Sequence, residues 1–194
     1  MNKGMKIRLR KTIELANVQV QEKVLDLGCG KQKTLQQFLP EATYIGLDLD
    51  GGNIECNLEM GLPEEIKKKR FDVIFLNEFI EHIENFKTIL LECREILSEQ
   101  GRIIISTPSN NRILYGDFWN GIGEHKMHIH CFRKTNIRNL AKICGLKVTK
   151  IKGTFIRIPP IIKLWFFLPT TQTIYTEVII YRLEPETKET KTEE

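Results

Sequence analysis

The sequence predicts a single α/β domain with a mainly parallel, doubly wound sheet. Three observations carry this: short unbroken runs of Val, Ile and Leu, helical patterns between them, and a glycine turn directly after the first run. Such runs, separated by helices, belong to parallel strands covered on both faces. The 194 residues suit one compact unit. With 41% apolar and 28% charged residues the chain has the composition of a folded protein rather than a disordered one.

Residues 1–20 read as an N-terminal helical segment. It is basic (Lys3, Lys6, Arg8, Arg10, Lys11) and lacks the apolar stretch of a signal peptide. Val24-Leu25-Asp26-Leu27 is a buried strand, ended by Gly28-Cys29-Gly30. Thr34 to Leu39 reads as a short helix stopped before Pro40. Tyr44 to Leu47 is a second strand closing on Asp48, Ile54 to Cys56 a short third, and Phe71 to Leu76 a fourth. Lys67-Lys68-Lys69-Arg70 is a solvated helix end. Lys87 to Ser98 is an amphipathic helix with Ile89, Leu90, Cys93, Ile96 and Leu97 on one side. Gly101 breaks it, and Arg102 to Ser106 is the fifth strand.

The pattern then changes. Residues 108–130 form an irregular stretch, too long for a mere connection, holding Tyr115, Phe118, Trp119, His125, His128 and His130. A helix from Lys134 to Cys144 follows, capped by Gly145. Leu146 to Ile151 and Thr176 to Leu183 read as the last two strands. Trp165, Phe166 and Phe167, between them, read as core or as cover over the sheet. The domain therefore spans 1–183. Residues 184–194, with five Glu, two Lys and no aromatic residue, read as a disordered tail.

Two features carry chemistry. A strand running into glycines lets a ligand approach the bare backbone near a helix N-terminus. Asp48, 22 residues after Asp26, ends the next strand, where a carboxylate accepts both hydroxyls of a ribose. Together they read as a site for a nucleoside-bearing cofactor. A dinucleotide fingerprint is missing because Lys33 stands where its third glycine belongs, and no Gly-Lys-Ser/Thr phosphate loop follows.

Asp26, Gly28 and Gly30 match an acidic residue followed by Gly-x-Gly. On these residues, and on the order of the elements from Glu22 to Arg182, the chain resembles the class I S-adenosylmethionine-dependent methyltransferases. The family's frequent third glycine is Gln32 here. His128-Ile129-His130-Cys131-Phe132 and Gly145-Leu146-Lys147-Val148 are similar to its small-molecule subset. Asn57 to Leu62 is loosely similar to methyltransferase-like proteins of methionine biosynthesis. The resemblance implies seven strands with the last antiparallel, and S-adenosylmethionine as cofactor. It places Asp26, Gly28 and Gly30 in the cofactor turn and Asp48 at the ribose, and counts Leu49 among the cofactor-binding residues. Asn57 and Leu58 would flank the adenine, with Asn57 where the family often has Asp, and Asn77 and Glu78 would lie under the methionine part.

Methyl transfer to oxygen calls for a positioned base. The candidates are Glu78, Glu81, His82, His125, His128 and His130, with Glu81, His82 and His128 favoured as catalytic. The plain alternative for Glu78 and Glu81 is charge in the first turn of a helix capped by Asn77; for His82 it is a structural hydrogen bond. The histidines beside Glu124 lack an acidic or cysteine ligand pattern, so no metal is expected. They read as a lining of the acceptor pocket in the 108–130 loop.

The function expected is methyl transfer to a small-molecule acceptor, an oxygen of a sugar, lipid precursor or metabolite. The alternative is a non-catalytic cofactor-binding or regulatory protein that keeps the fold. A net charge of +4 is too small and dispersed to argue nucleic-acid binding, and no Asn-Pro-Pro-Tyr segment follows the fourth strand. The five cysteines form no Cys-x-x-Cys and read as reduced thiols of a cytoplasmic protein. The apolar window Ile161 to Leu168 is interrupted by Lys163 and too short to span a membrane. With the basic N-terminus it leaves peripheral contact with a lipid surface as a secondary reading. Oligomeric state has no signal in the sequence.

Overall fold

In the computed structural model, which describes residues 3–109, 129–158, 166–169 and 178–186, the apolar runs become neighbouring strands. Strands β1 (Lys23–Leu27), β2 (Thr43–Asp48), β3 (Ile54–Glu55), β4 (Phe71–Asn77) and β5 (Leu97–Pro108) pair in parallel. β6 (Leu146–Gly153) is the far edge, and β9 (Val178–Pro185) inserts antiparallel between it and β5. The sheet therefore has seven strands in the order β3-β2-β1-β4-β5-β9-β6, with one antiparallel member, as expected.

Side chains alternate across each strand and build two apolar layers. Leu25, Leu27, Ile74, Leu76, Ile103 and Ile105 face helices α3 (Phe86–Ile96) and α4 (Lys134–Ile143), which bring Ile89, Leu90, Ile137 and Leu140. Val24, Val73, Phe75, Ile104 and Ile180 face α1 (Lys3–Ala16), which brings Leu15 and Ala16. A single-turn helix, α2 (Glu64–Lys67), buries Ile66 before β4. No described helix is long and apolar enough to cross a membrane.

Three cations from the chain hold α1 on the sheet. The last carbonyls of a helix lack partners within it. Here the buried Arg102 of β5 donates to Ala16 O and to Asn17 O (2.8 Å), and binds both carboxylate oxygens of Glu22 at 2.8 and 2.7 Å. Arg182 of β9 reaches Leu15 O at 3.3 Å. One turn earlier in the helix, the buried Lys11 donates to Gly153 O (3.0 Å) and Thr154 O (2.8 Å).

Three expectations are corrected. Thr34 to Leu39 is not an α-helix: only Gln36–Phe38 forms a 3-10 turn. Leu35 is the one buried residue in the run, so there is no apolar stripe for a helix to bury. Asn77 is no helix cap: it ends β4, Glu78 follows with φ +49°, and a 3-10 turn at Ile80–His82 precedes α3. That turn suffices to bury Phe79, Ile80 and Ile83. Glu184 and Pro185 belong to β9 rather than to a tail, paired with Lys147 and Leu146. Phe166 and Phe167 lie in a separate ribbon, β7 (Phe155–Ile158) against β8 (Phe166–Pro169). Trp165, the 110–128 part of the irregular stretch and residues 187–194 fall outside the described residues.

Both margins of the main sheet are blunt. β3 has two residues. β6 exposes Lys147, Thr149 and Lys150 and slips in register between Val148 and Lys150.

Candidate active site

At the carboxyl end of β1, Gly28 and Gly30 take φ of +73° and +67°, the left-handed region that glycine enters without strain. The turn is fixed to β2, because Gly28 N–H and Cys29 N–H both donate to Leu47 O, at 2.8 and 3.2 Å. A Cβ on Gly28 would stand 2.7 Å from the ring of Phe79, so the second residue past β4 seals one side of the turn. Asp48 closes the other side. Its Oδ2 accepts from Gly30 N–H and its Oδ1 from Leu49 N–H, each at 2.8 Å. A carboxylate has about four acceptor positions, so each oxygen keeps capacity for a further donor.

Asp26 lies beneath this turn, buried, and accepts from the Tyr44 hydroxyl at 2.7 Å. Burial pushes its carboxyl up to about 7, although the Tyr44 bond opposes the rise. Burial likewise raises the Cys29 thiol to about 11, so Cys29 is a neutral neighbour of the turn.

Past β3 the predicted residues serve more local ends. Asn57 is exposed, and its Oδ1 accepts from Glu59 N–H at 3.0 Å, capping the 3-10 turn Leu58–Met60. Leu58 is buried in the core. Leu49 is 70% exposed beside Asp48, an apolar side chain left in water at the rim.

β4 runs alongside β1, with Leu76 beside Leu27, so Asn77 arrives next to the glycine turn. Glu78 N–H donates to Ser106 O at 2.9 Å, and the Ser106 hydroxyl donates to Glu78 Oε1 at 3.2 Å. The Arg8 guanidinium of α1 stands 2.8 Å from Glu78 Oε2. Glu81 has no solvent exposure. Burial, and next the charge of Glu78, push its carboxyl up to about 8. Its main-chain carbonyl accepts from Ile129 N–H (2.9 Å) and His130 N–H (3.2 Å), which anchors the exit of the 108–130 stretch.

Buried polar atoms rarely lack partners in a folded protein. Among the described residues, Asn77 Oδ1, Asn85 Oδ1, His130 Nε2 and Tyr181 Oη are buried without a hydrogen bond, and the Thr107 hydroxyl lies close enough to the Glu81 carboxyl to oppose the rise that burial causes. Asn77, Glu81, Thr107 and His130 stand at or beside the carboxyl ends of β4 and β5, where open α/β sheets take their ligands. The His130 ring sits edge-on to Phe86, centroids 4.9 Å apart. His82, half-buried, lies in the Ile80–His82 turn and donates its N–H to Phe79 O at 3.0 Å.

The fold thus gathers Asp26, Gly28, Gly30, Asp48, Asn77, Glu78 and Glu81 at one edge. Leu58 points its bulk into the core instead, and His125 and His128 lie outside the described residues. Arg8, Tyr44, Phe79 and Ser106 are the site's unforeseen members. A signal existed for Ser106, the last residue of the fifth apolar run, and for Tyr44, a hydroxyl within the second. None existed for Arg8, 70 residues from Glu78.

The family model for a methyltransferase domain matches residues 2–151. Ubiquinone biosynthesis O-methyltransferase of Pelagibacter ubique is 29% identical over 99 residues, covering 44% of this chain and 41% of that protein. An uncharacterized protein of Haemophilus influenzae is 34% identical over 105 residues, with 44% and 41% covered. The chain spans about two fifths of the length of these curated relatives. Among solved structures, a SAM-dependent methyltransferase of Archaeoglobus fulgidus superposes with a TM-score of 0.69 at 19% identity, covering 92% of each chain. The 1,6-didemethyltoxoflavin-N1-methyltransferase of Burkholderia thailandensis, solved with S-adenosylhomocysteine and 1,6-didemethyltoxoflavin bound, gives 0.62 at 14% identity, covering 95% of this chain and 79% of that one. At these identities the likeness is one of fold.

Proposed function

The chain belongs to the methyltransferase domain family, and from that premise we propose that it transfers the methyl group of S-adenosylmethionine to a small-molecule acceptor at the carboxyl edge of β1, β2, β4 and β5. The observation that carries this reading is the pair of hydrogen bonds from Gly30 and Leu49 N–H to Asp48. They set a charged acceptor opposite a turn whose first glycine has no room for a side chain.

The residues fit the cofactor. Asp48 accepts the two ribose hydroxyls, and the Gly28–Gly30 turn admits the nucleoside against bare backbone. Exposed Leu49 supplies an apolar edge for the base, with Asn57 at the margin. The unpartnered Asn77 Oδ1 offers an acceptor under the amino-acid part. Glu78 and Arg8, an ion pair at 2.8 Å, match the ammonium and carboxylate of that part with opposite charges. The cofactor supplies an electrophilic methyl on a sulfonium, so the protein's task is to hold an acceptor in line and keep water out.

Glu81, His82 and His128 are the residues proposed to handle the acceptor's proton. Glu81 is buried and its carboxyl is raised to about 8, so it can exchange a proton near neutral pH, which suits proton transfer with the acceptor. The O-methyltransferases among the relatives favour an acceptor oxygen, and reduced thiols favour the cytoplasm.

The test is calorimetry with S-adenosylhomocysteine, followed by incubation with methyl-labelled cofactor and hydroxylated acceptors. Binding with transfer is the expected result. Binding without transfer to any acceptor makes the chain a non-catalytic cofactor-binding protein, and absence of binding overturns the reading.

A further inference from the structure

Glu78 takes a φ of +49°, the left-handed region, in which a residue with a side chain is strained. Such a conformation persists only where the surroundings over-determine it, and it concentrates at functional sites. Here one residue restrains both the main chain and the side chain. Ser106, fully buried near the carboxyl end of β5, stands opposite Asn77 in the register of β4 and β5. Its carbonyl and its hydroxyl both accept from Glu78 N–H, at 2.9 and 3.2 Å. The same hydroxyl donates to Glu78 Oε1 at 3.2 Å, and Oε2 meets the Arg8 guanidinium at 2.8 Å.

Packing does not call for a hydroxyl at this position. Side chains alternate along a strand, so Ser106 shares the face of Ile104, which packs in the apolar layer under α1. A hydroxyl buried there costs stability unless it is hydrogen-bonded, and among the described residues its partner is Glu78. We propose that Ser106 is a positioning residue for the cofactor: it locks Glu78 in the left-handed turn and aims the carboxylate, beside Arg8, at the amino-acid part. The inference rests on the proposed function, which sets Glu78 and Arg8 against that part. Ser106 itself needs no contact with the cofactor.

The test is calorimetry with two ligands, S-adenosylhomocysteine and 5′-methylthioadenosine. The second keeps the adenosine and the thioether sulfur but lacks the amino-acid part. A hydrogen bond to a charged group corresponds to about tenfold in affinity, so Ser106→Ala should weaken S-adenosylhomocysteine roughly tenfold and leave 5′-methylthioadenosine within about twofold. In a Glu78→Ala background no carboxylate remains to be aimed, and the same substitution should change S-adenosylhomocysteine binding by less than about threefold. Thermal melts verify that the variants fold, and retained 5′-methylthioadenosine binding verifies the adenosine end of the site. Equal loss for both ligands, loss for neither, or the same loss with and without Glu78 would overturn the role of Ser106. In each of those cases a wild type that binds both ligands leaves the proposed function standing. A wild type that binds neither overturns both.

Discussion

Replacing Asp48 with Ala tests the site at its centre. The carboxylate holds two backbone N–H groups at 2.8 Å and, in the proposed function, two ribose hydroxyls as well. A hydrogen bond to a charged group contributes about 1.5–3 kcal/mol, so losing both hydroxyl contacts should cost about 3–6 kcal/mol, roughly 10²- to 10⁴-fold in affinity. Gly30 and Leu49 N–H lie near solvent and regain partners from water, so the fold should survive. Asp48→Asn keeps one acceptor oxygen and loses the charge, and should fall between Ala and the wild type. Calorimetry with S-adenosylhomocysteine reads the affinity, and a thermal melt reads the fold. If the folded Ala variant binds within about threefold of the wild type, less than ~0.7 kcal/mol, Asp48 does not hold the ribose and the reasoning fails.

Three further outcomes are expected. Glu81→Gln should lower kcat roughly 10²- to 10⁴-fold. In the wild type, kcat/KM should rise with pH through about 8, the value at which Glu81 gives up its proton; a variant that keeps both rate and profile would remove Glu81 from the chemistry. Asp26 is raised from 3.8 to about 7, so the folded state keeps a proton that the unfolded state loses, and stability must fall as pH rises across that window. Asp26→Asn should shrink the fall by about 4 kcal/mol in urea titrations, leaving the part due to Glu81, which has the same sign; an unchanged slope would contradict the buried-charge account. Arg102→Ala strands Glu22 and the last carbonyls of α1 and should cost about 3–5 kcal/mol in the same titrations, whereas a loss below ~1 kcal/mol would mean that α1 is held by packing alone.

The parts of the fold legible in the sequence are those whose signals are local. Val24–Leu27 and Arg102–Ser106 reveal strands because both faces of a parallel sheet are buried, so every residue in the run must be apolar or paired. The Gly28–Gly30 turn and Asp48 were legible together because a single short crossover between adjacent parallel strands separates them. Residues whose roles depend on distant partners escaped. Arg8 has meaning only once the fold brings α1 to Glu78, and the burial of Leu58 depends on core residues far along the chain. Asn77 followed by two glutamates imitated a helix start, but burial of Phe79, Ile80 and Ile83 selected a tight turn instead. The β7–β8 ribbon was missed because its apolar residues resemble core, and only the topology shows that the main sheet has no place for them.

The two blunt margins of the sheet have a bearing on how copies of this chain can meet. Strand edges recruit other strands when they are long, flat and uncharged. One margin here is too short to nucleate a ladder, and the other presents lysines across a skipped register. Neither margin invites fibrillar growth, so among the described residues the main sheet is a poor place for copies of this chain to meet by adding strands.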